Sequence, residues 1–224
     1  MAPASLEKAF APSAGAALFA CVASDGSAAH PYGRSLALLR SSQSSRNLAD
    51  AVHLLCMVHG RSPGVVDHAA GRSTQPAARI WLASALEGFS AERAFLARLA
   101  VEAGPVPSTP GAAGAETALV SQRHALQMLA QSERSGCALG AAMALVADWG
   151  SIRPVLNAAA GRFGVPLPGY RLGDGDSIRS LADTLGSEPL VERAILFGAQ
   201  QVMLQHHGLW DLLEARQQAR SAHP

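Results

Sequence analysis

The chain has 224 residues and a mass of 23.1 kDa, which is enough for one domain with a sizeable core. Its 18 basic and 17 acidic residues give a formal net charge of +1, and no basic block predicts a nucleic-acid-binding surface. No apolar run reaches the roughly 18 residues that a membrane-spanning helix requires.

In chain order, residues 1–43 are the least regular, and we expect an irregular N-terminal segment there; Gly15 to Ser24 fits either a helix or a strand. Residues 44–224 are expected to form a helical bundle domain. Its predicted helices are Arg46–His59, a short helix from Ser62-Pro63 to Gly71, Pro76 to about Gly104, Glu116–Trp149 with a possible break near Gly136, Ile152–Phe163, a helix capped by Asp176 or Ser177 and ending at Leu185, and Pro189–Ala219.

The fold class follows from this pattern. Alanine, a strong helix former, is abundant, while β-branched and aromatic residues are sparse. From Gly136 to Ala147 every position is apolar or small, so we expect that segment to be buried on all sides. The sequence therefore predicts an all-α bundle of six to nine helices.

The cysteines bear on the compartment. Cys21, Cys56 and Cys137 are odd in number, are widely spaced and form no C-x-x-C motif, so we expect a reducing, cytoplasmic environment. The alternative is export, because the residues leading to Cys21 resemble a lipoprotein cleavage box. Glu7 beside Lys8 weakens that alternative, since the N-terminus then lacks a clear positive region.

The familiar catalytic signatures are missing from the sequence. It contains no phosphate-binding loop motif, no H-E-x-x-H and no Glu-x-x-His, the last of which typifies ferritin-like di-iron proteins. Gly60–Gly64 fits G-x-S-x-G, but a nucleophile elbow needs a preceding strand, and a helix is predicted there. We interpret this segment as the end of one helix and the start of the next.

Histidines provide two groups of candidates. A turn after His59 would bring His59, Asp67 and His68 together as nitrogen and oxygen ligands of a metal, although a helix cap and a solvated face explain the same residues. In the last helix, His206 lies within an apolar stripe and His207 on the neighbouring face. Both are candidates for a haem or metal ligand, and the alternative for a core histidine is a structural hydrogen bond. The stripe comprises Val191, Ile195, Val202, Leu209 and Leu213.

A further polar track begins with Gln122, Arg123 and His124, and the polar segment Ser132–Arg134 contains Glu133. His124, Glu133 and His206 are our candidate catalytic residues. Asp148 lies near the predicted end of a helix, where a carboxylate requires a cation, and we expect Arg153 or another arginine to pair with it. The alternative to a site is that such ion pairs only hold the helices together.

Gly136 and Gly140 place small residues on one face of the predicted helix, which permits close approach either of another helix or of a flat ligand. The segment Ser135–Ala141 is similar to the glycine-bearing distal helix of heme oxygenases, whose size and helix count also suit this chain. That resemblance implies a heme oxygenase-like bundle with haem or iron, in which His53 or His59 would serve as the proximal ligand. We carry no residue role over from it.

Three further segments, His59–His68, Gly104–Gly111 and Gln122–Leu126, resemble a bacterial family described only as a domain of unknown function. That resemblance implies no activity, cofactor or catalytic residue. We expect a soluble protein that binds, or acts on, a small hydrophobic or planar ligand in a polar pocket inside the bundle. The alternative is a non-catalytic helical interaction protein whose buried polar residues are structural, and fold alone does not decide between them.

Overall fold

The computed structural model describes residues 12–222, and within this range the chain is all-α, with one 3-10 turn at Pro31–Arg34 and no strand. The predicted helical bundle is confirmed. Its nine described helices are α1 (Ala14–Asp25), α2 (Leu36–Leu39), α3 (Ser44–His59), α4 (Val65–Arg72), α5 (Pro76–Glu102), α6 (Ala112–Ala130), α7 (Cys137–Phe163), α8 (Gly175–Leu185) and α9 (Pro189–Ala222).

Helix α7 is the centre of the bundle. Every residue from Cys137 to Val146 is buried, as the run of small and apolar residues predicts. The helix packs most extensively on α9 and also contacts α3, α4, α5 and α6. This central position places Asp148 and Trp149, near the middle of α7, deep in the protein.

Two glycines allow α7 and α9 to touch backbone to backbone. A Cβ atom on Gly140 would lie 2.1 Å from the carbonyl oxygen of Ile195, and one on Gly198 would lie 2.1 Å from that of Cys137. The glycine face of α7 is therefore covered by α9. The two readings of Gly140, close helix approach and close ligand approach, are resolved in favour of the helix.

The N-terminal segment is part of the bundle rather than an irregular extension. In its described part, α1 packs against α9 and α8, and Leu18 and Val22 belong to the main core. The expected division at residue 43 therefore does not separate two structural units within the described residues. Residues 1–11, with Glu7 and Lys8 on which the export alternative depends, lie outside the described range.

The prediction was wrong about the end of one helix and the cap of another. Helix α7 continues from Trp149 through Pro154, although we expected one helix to end at Trp149 and another to begin at Ile152. Burial of Ile152 and Leu156 on either side compensates for the single hydrogen bond that proline removes. Helix α8 is capped by Asp174, which accepts a hydrogen bond from the backbone N–H of Ser177 at 2.8 Å, and not by Asp176 or Ser177.

None of the described helices combines the length and hydropathy that a membrane span requires.

Candidate functional site

Three buried side chains from three helices form a continuous hydrogen-bonded chain, which we call the proton relay: Asp148 on α7, His206 on α9 and His59 at the end of α3. Their exposed fractions are 0%, 1% and 5%. Asp148 Oδ2 lies 2.5 Å from His206 Nδ1, and His206 Nε2 lies 3.1 Å from His59 Nε2. His206 thus points into the bundle, as its position in the apolar stripe of α9 predicts.

Asp148 has a different partner from the one expected. Arg153 does not reach it; the carboxylate instead accepts hydrogen bonds from the backbone N–H of Ser27 at 2.8 Å, from Ser27 Oγ at 2.5 Å and from His206. Gly26 makes room for this arrangement, since a Cβ atom there would lie 2.6 Å from Asp148 Oδ1. Arg153 pairs instead with the buried Glu92.

Proton positions in the relay are constrained by its geometry. Asp148 accepts from His206 Nδ1, so that nitrogen carries a hydrogen. The contact between the two Nε2 atoms needs one shared hydrogen. When it belongs to His59, both rings are neutral and His59 Nδ1 keeps a lone pair. When it belongs to His206, that ring is an imidazolium beside Asp148.

The surroundings of His59 favour its neutral ring. Burial is the largest of the effects that hold the pKa of His59 well below its usual value, and the nearby His206 and Arg93 lower it further. The ring packs edge-on against Trp149 at 5.5 Å and Phe89 at 6.5 Å between ring centroids. Trp149 is itself fixed by a 2.9 Å hydrogen bond from its Nε1 to Glu92. The ring of His59 is therefore held in one orientation.

His59, the outer member of the relay, lines a cavity, which we call the His59 cavity. It measures about 300 Å³ and lies among α3, α4, α5, α6 and α7, at the lower end of the size range of small-molecule sites. His59 Nδ1 has no hydrogen-bond partner among residues 12–222. Polar side chains from the cavity wall are Arg61, Ser62, His68, Arg123, Gln127 and Gln131.

The predicted metal group of His59, Asp67 and His68 is not assembled. Asp67 is occupied by Arg93, whose Nη2 lies 2.5 Å from Oδ2, and by hydrogen bonds from Gly64 N at 2.8 Å and Ser62 Oγ at 3.2 Å. Burial alone would raise the pKa of Asp67, but these bonds and the charge of Arg93 lower it overall. His68 lies on the cavity wall, and Nε2 of His59 faces His206.

His207 belongs to another cluster. His30, His207 and Asp211 are the one His/Cys/Asp/Glu group in residues 12–222 whose ligand atoms all lie within 4.8 Å. However, His30 Nδ1 accepts the N–H of Tyr32 at 3.2 Å, so a neutral ring carries its hydrogen on Nε2, 3.1 Å from Asp211. That nitrogen donates to the carboxylate and offers no lone pair to a metal in this arrangement.

The remaining candidates lie away from the relay. His124 and Glu133 are exposed, and neither makes a hydrogen bond or ion pair with His206. Gly136 adopts a positive φ of 93° directly before α7, where Val191 and Ile195 of α9 cover it. Gly140 is also covered by α9, and neither glycine lines the His59 cavity.

Comparison with known proteins gives a family but no activity. A family model matches residues 22–221. The chain belongs to the family of unknown function DUF6975. The DUF6975 match spans Ser27, His59, Asp148 and His206, so the complete relay lies within the family's domain. No curated protein and no solved structure matches the chain, and the heme oxygenase-like resemblance is not confirmed.

Sequence reasoning identified two members of the relay as candidates, but not their connection. Ser27 was not among the candidates, and Asp148 was interpreted only as half of an ion pair. No local signal links them, because Ser27 and Asp148 are separated by 121 positions and His59 and His206 by 147. Gly26 beside Ser27, a small residue that allows close approach, is the one local feature of the sequence that marks this part of the site.

The depressed pKa of His59 predicts a loss of stability in mild acid. The unfolded imidazole takes up a proton below pH about 6.5, whereas the native ring resists it, so the free energy of unfolding falls as the pH falls. One such group contributes a slope of up to about 1.4 kcal/mol per pH unit. Urea denaturation at a series of pH values measures this slope.

His59→Gln should reduce that slope in the range just below pH about 6.5, and the exposed His124→Gln should leave it unchanged. Equal slopes in His59→Gln and the parent protein would show that His59 titrates normally in the native state.

Proposed function

We propose that the protein binds a small molecule in the His59 cavity and that the proton relay removes a proton from it. One observation supports this most strongly: a buried carboxylate–imidazole–imidazole chain ends at His59, which lines a cavity and whose Nδ1 has no hydrogen-bond partner among the described residues. A base that is oriented by a second group, which is oriented in turn by a carboxylate, is the arrangement used in general base catalysis.

The proton transfer balances within the relay. The His59 Nδ1 lone pair forms the new N–H bond, and the electron pair of the broken bond stays on the ligand. His59 then passes its Nε2 hydrogen to His206 Nε2 across 3.1 Å. The positive charge comes to rest on His206, next to Asp148. The transfer to His206 avoids leaving the positive charge on the buried ring of His59, because the charge then lies beside the carboxylate of Asp148.

The alternative proposal is a helical interaction protein with a purely structural relay. Met128 and Phe197 support it, since both are exposed apolar residues that line a shallow groove between α6 and α9. For the compartment, we propose the cytoplasm, supported by the three free cysteines.

A binding experiment with defined probes separates these proposals. Indole, 3-phenylpropionamide and 3-phenylpropionate are titrated into histidine-labelled protein, and ring nitrogen shifts are recorded by NMR. We expect at least one probe to shift the His59 and His206 signals. Gln127→Trp, which places a large side chain at the cavity wall, should abolish the shifts, whereas Ser121→Trp, at an exposed position of the same helix, should not.

Shifts that survive Gln127→Trp, or that are confined to residues of the groove between α6 and α9, would contradict the proposal and favour the interaction protein.

A further inference from the structure

The wall of the His59 cavity carries positive charge without a counter-charge. Arg61 is exposed in the linker after α3 and Arg123 is half-buried on α6, and both line the cavity. No aspartate or glutamate lines it. Asp67, the nearest acid along the chain from Arg61, is already paired with Arg93. The electrostatic potential of this cavity therefore favours an anion.

Both guanidinium groups keep their hydrogen-bond donors available. Within residues 12–222, Arg61 and Arg123 make no hydrogen bond or ion pair, whereas Arg93, Arg153 and Arg216 are each paired with a carboxylate. A guanidinium presents several N–H groups in a planar fork that matches a carboxylate or phosphate. Two such unpartnered groups in the lining of one cavity offer a place for an anionic head group.

The interior of the same cavity is apolar. Phe89, Leu126 and Leu145 contribute to its lining, and the first of these also packs against the ring of His59. A ligand that satisfies both parts has a charged head and an apolar body, since burial of the body on these side chains contributes favourable free energy.

Building on the proposed function, we propose that the ligand is a small organic anion. Its carboxylate or phosphate head is bound by Arg61 and Arg123, and its apolar body lies on Phe89, with the acidic hydrogen directed at His59 Nδ1. The two arginines then have a second role: they stabilise the negative charge that develops on the ligand when the proton leaves. An uncharged ligand of the same shape would forgo both interactions.

Calorimetric titration with three probes tests the charge of the ligand. We expect 3-phenylpropionate to bind about tenfold more tightly than its uncharged amide, the gain expected from charged hydrogen bonds. Comparing the affinity of phenyl phosphate with that of 3-phenylpropionate shows whether the site prefers a phosphate or a carboxylate head group. The preference for the anion should decrease at high ionic strength, because Arg61 is exposed to solvent.

Arg123→Gln should weaken 3-phenylpropionate binding about tenfold and leave the amide unaffected. Arg79→Gln, an exposed arginine of α5 that does not line the cavity, is the matched control and should have no effect.

Two failures are distinguishable. If the amide binds as tightly as the two anions, or Arg123→Gln does not weaken anion binding, the anion proposal is overturned while binding at His59 stands. If no probe shifts the ring signals of His59, the proposed function fails together with it.

Discussion

Replacing Gly140 with leucine should lower the free energy of unfolding by about 3 kcal/mol or more, the upper part of the range for overpacked cores. The ideal Cβ position already lies 2.1 Å from the carbonyl oxygen of Ile195 and 2.6 Å from its Cα. These are backbone atoms of α9, so no side-chain rotation relieves the overlap. The two helices must separate, and the packing between them is lost.

The matched control uses alanine on the same helix. Gly140→Ala should also destabilise, whereas Gly161→Ala, with no atom within 4 Å of its Cβ position, should stabilise by about 0.5 to 1 kcal/mol through helix propensity. Thermal and urea unfolding measure both. Equal stabilisation by the two alanines would show that α7 and α9 do not touch at Gly140.

The second large effect is expected at Asp50, which is fully buried on α3. The single Nε–H of Arg216 is shared between the two carboxylate oxygens of Asp50, Arg216 Nη2 donates to Oδ1, and Arg220 Nη1 donates to Oδ2 at 2.7 Å. Arg220 also binds Thr109, so this cluster ties the loop before α6 to α9. Asp50→Asn removes the negative charge and turns an amide toward two guanidinium groups. We expect a loss of about 3 to 5 kcal/mol.

Glu87→Gln is the matched control. It also replaces a carboxylate with an amide, but in an exposed ion pair, with Arg171 at 3.8 Å. Its effect should lie within about 1 kcal/mol. Urea denaturation of both variants gives the comparison, and similar losses in the two would mean that Asp50 is not the centre of a buried ion-pair cluster.

The fold was predictable because its signals are local. The apolar segment that became the centre of α7 and the stripe that directed His206 inward are patterns within single helices. The predicted break between Trp149 and Ile152 was wrong, since the tertiary packing of α7 keeps the helix continuous and outweighs the cost of Pro154. The cap at Asp174 was missed because several adjacent residues have similar capping propensity.

The site was less predictable because its contacts are long-range. His59 and His206 were candidates for separate reasons, and only folding brings their Nε2 atoms together. Asp148 was assigned an arginine because charge patterning favours the nearest cation, whereas burial places it beside His206 and Ser27. Arg123 was noted in a polar track, but its place on the wall of the His59 cavity depends on the packing of α6.

The proton relay is tested most directly by a long-range proton–nitrogen NMR titration of the histidine side chains. At pH values above the transition, the relay predicts a hydrogen on His206 Nδ1 and on His59 Nε2, and a bare lone pair on His59 Nδ1. As the pH falls and His59 Nδ1 takes up one proton, the hydrogen on His59 Nε2 should move to His206 Nε2 in the same transition. A hydrogen on His59 Nδ1 at every pH, or two independent transitions, would contradict the relay.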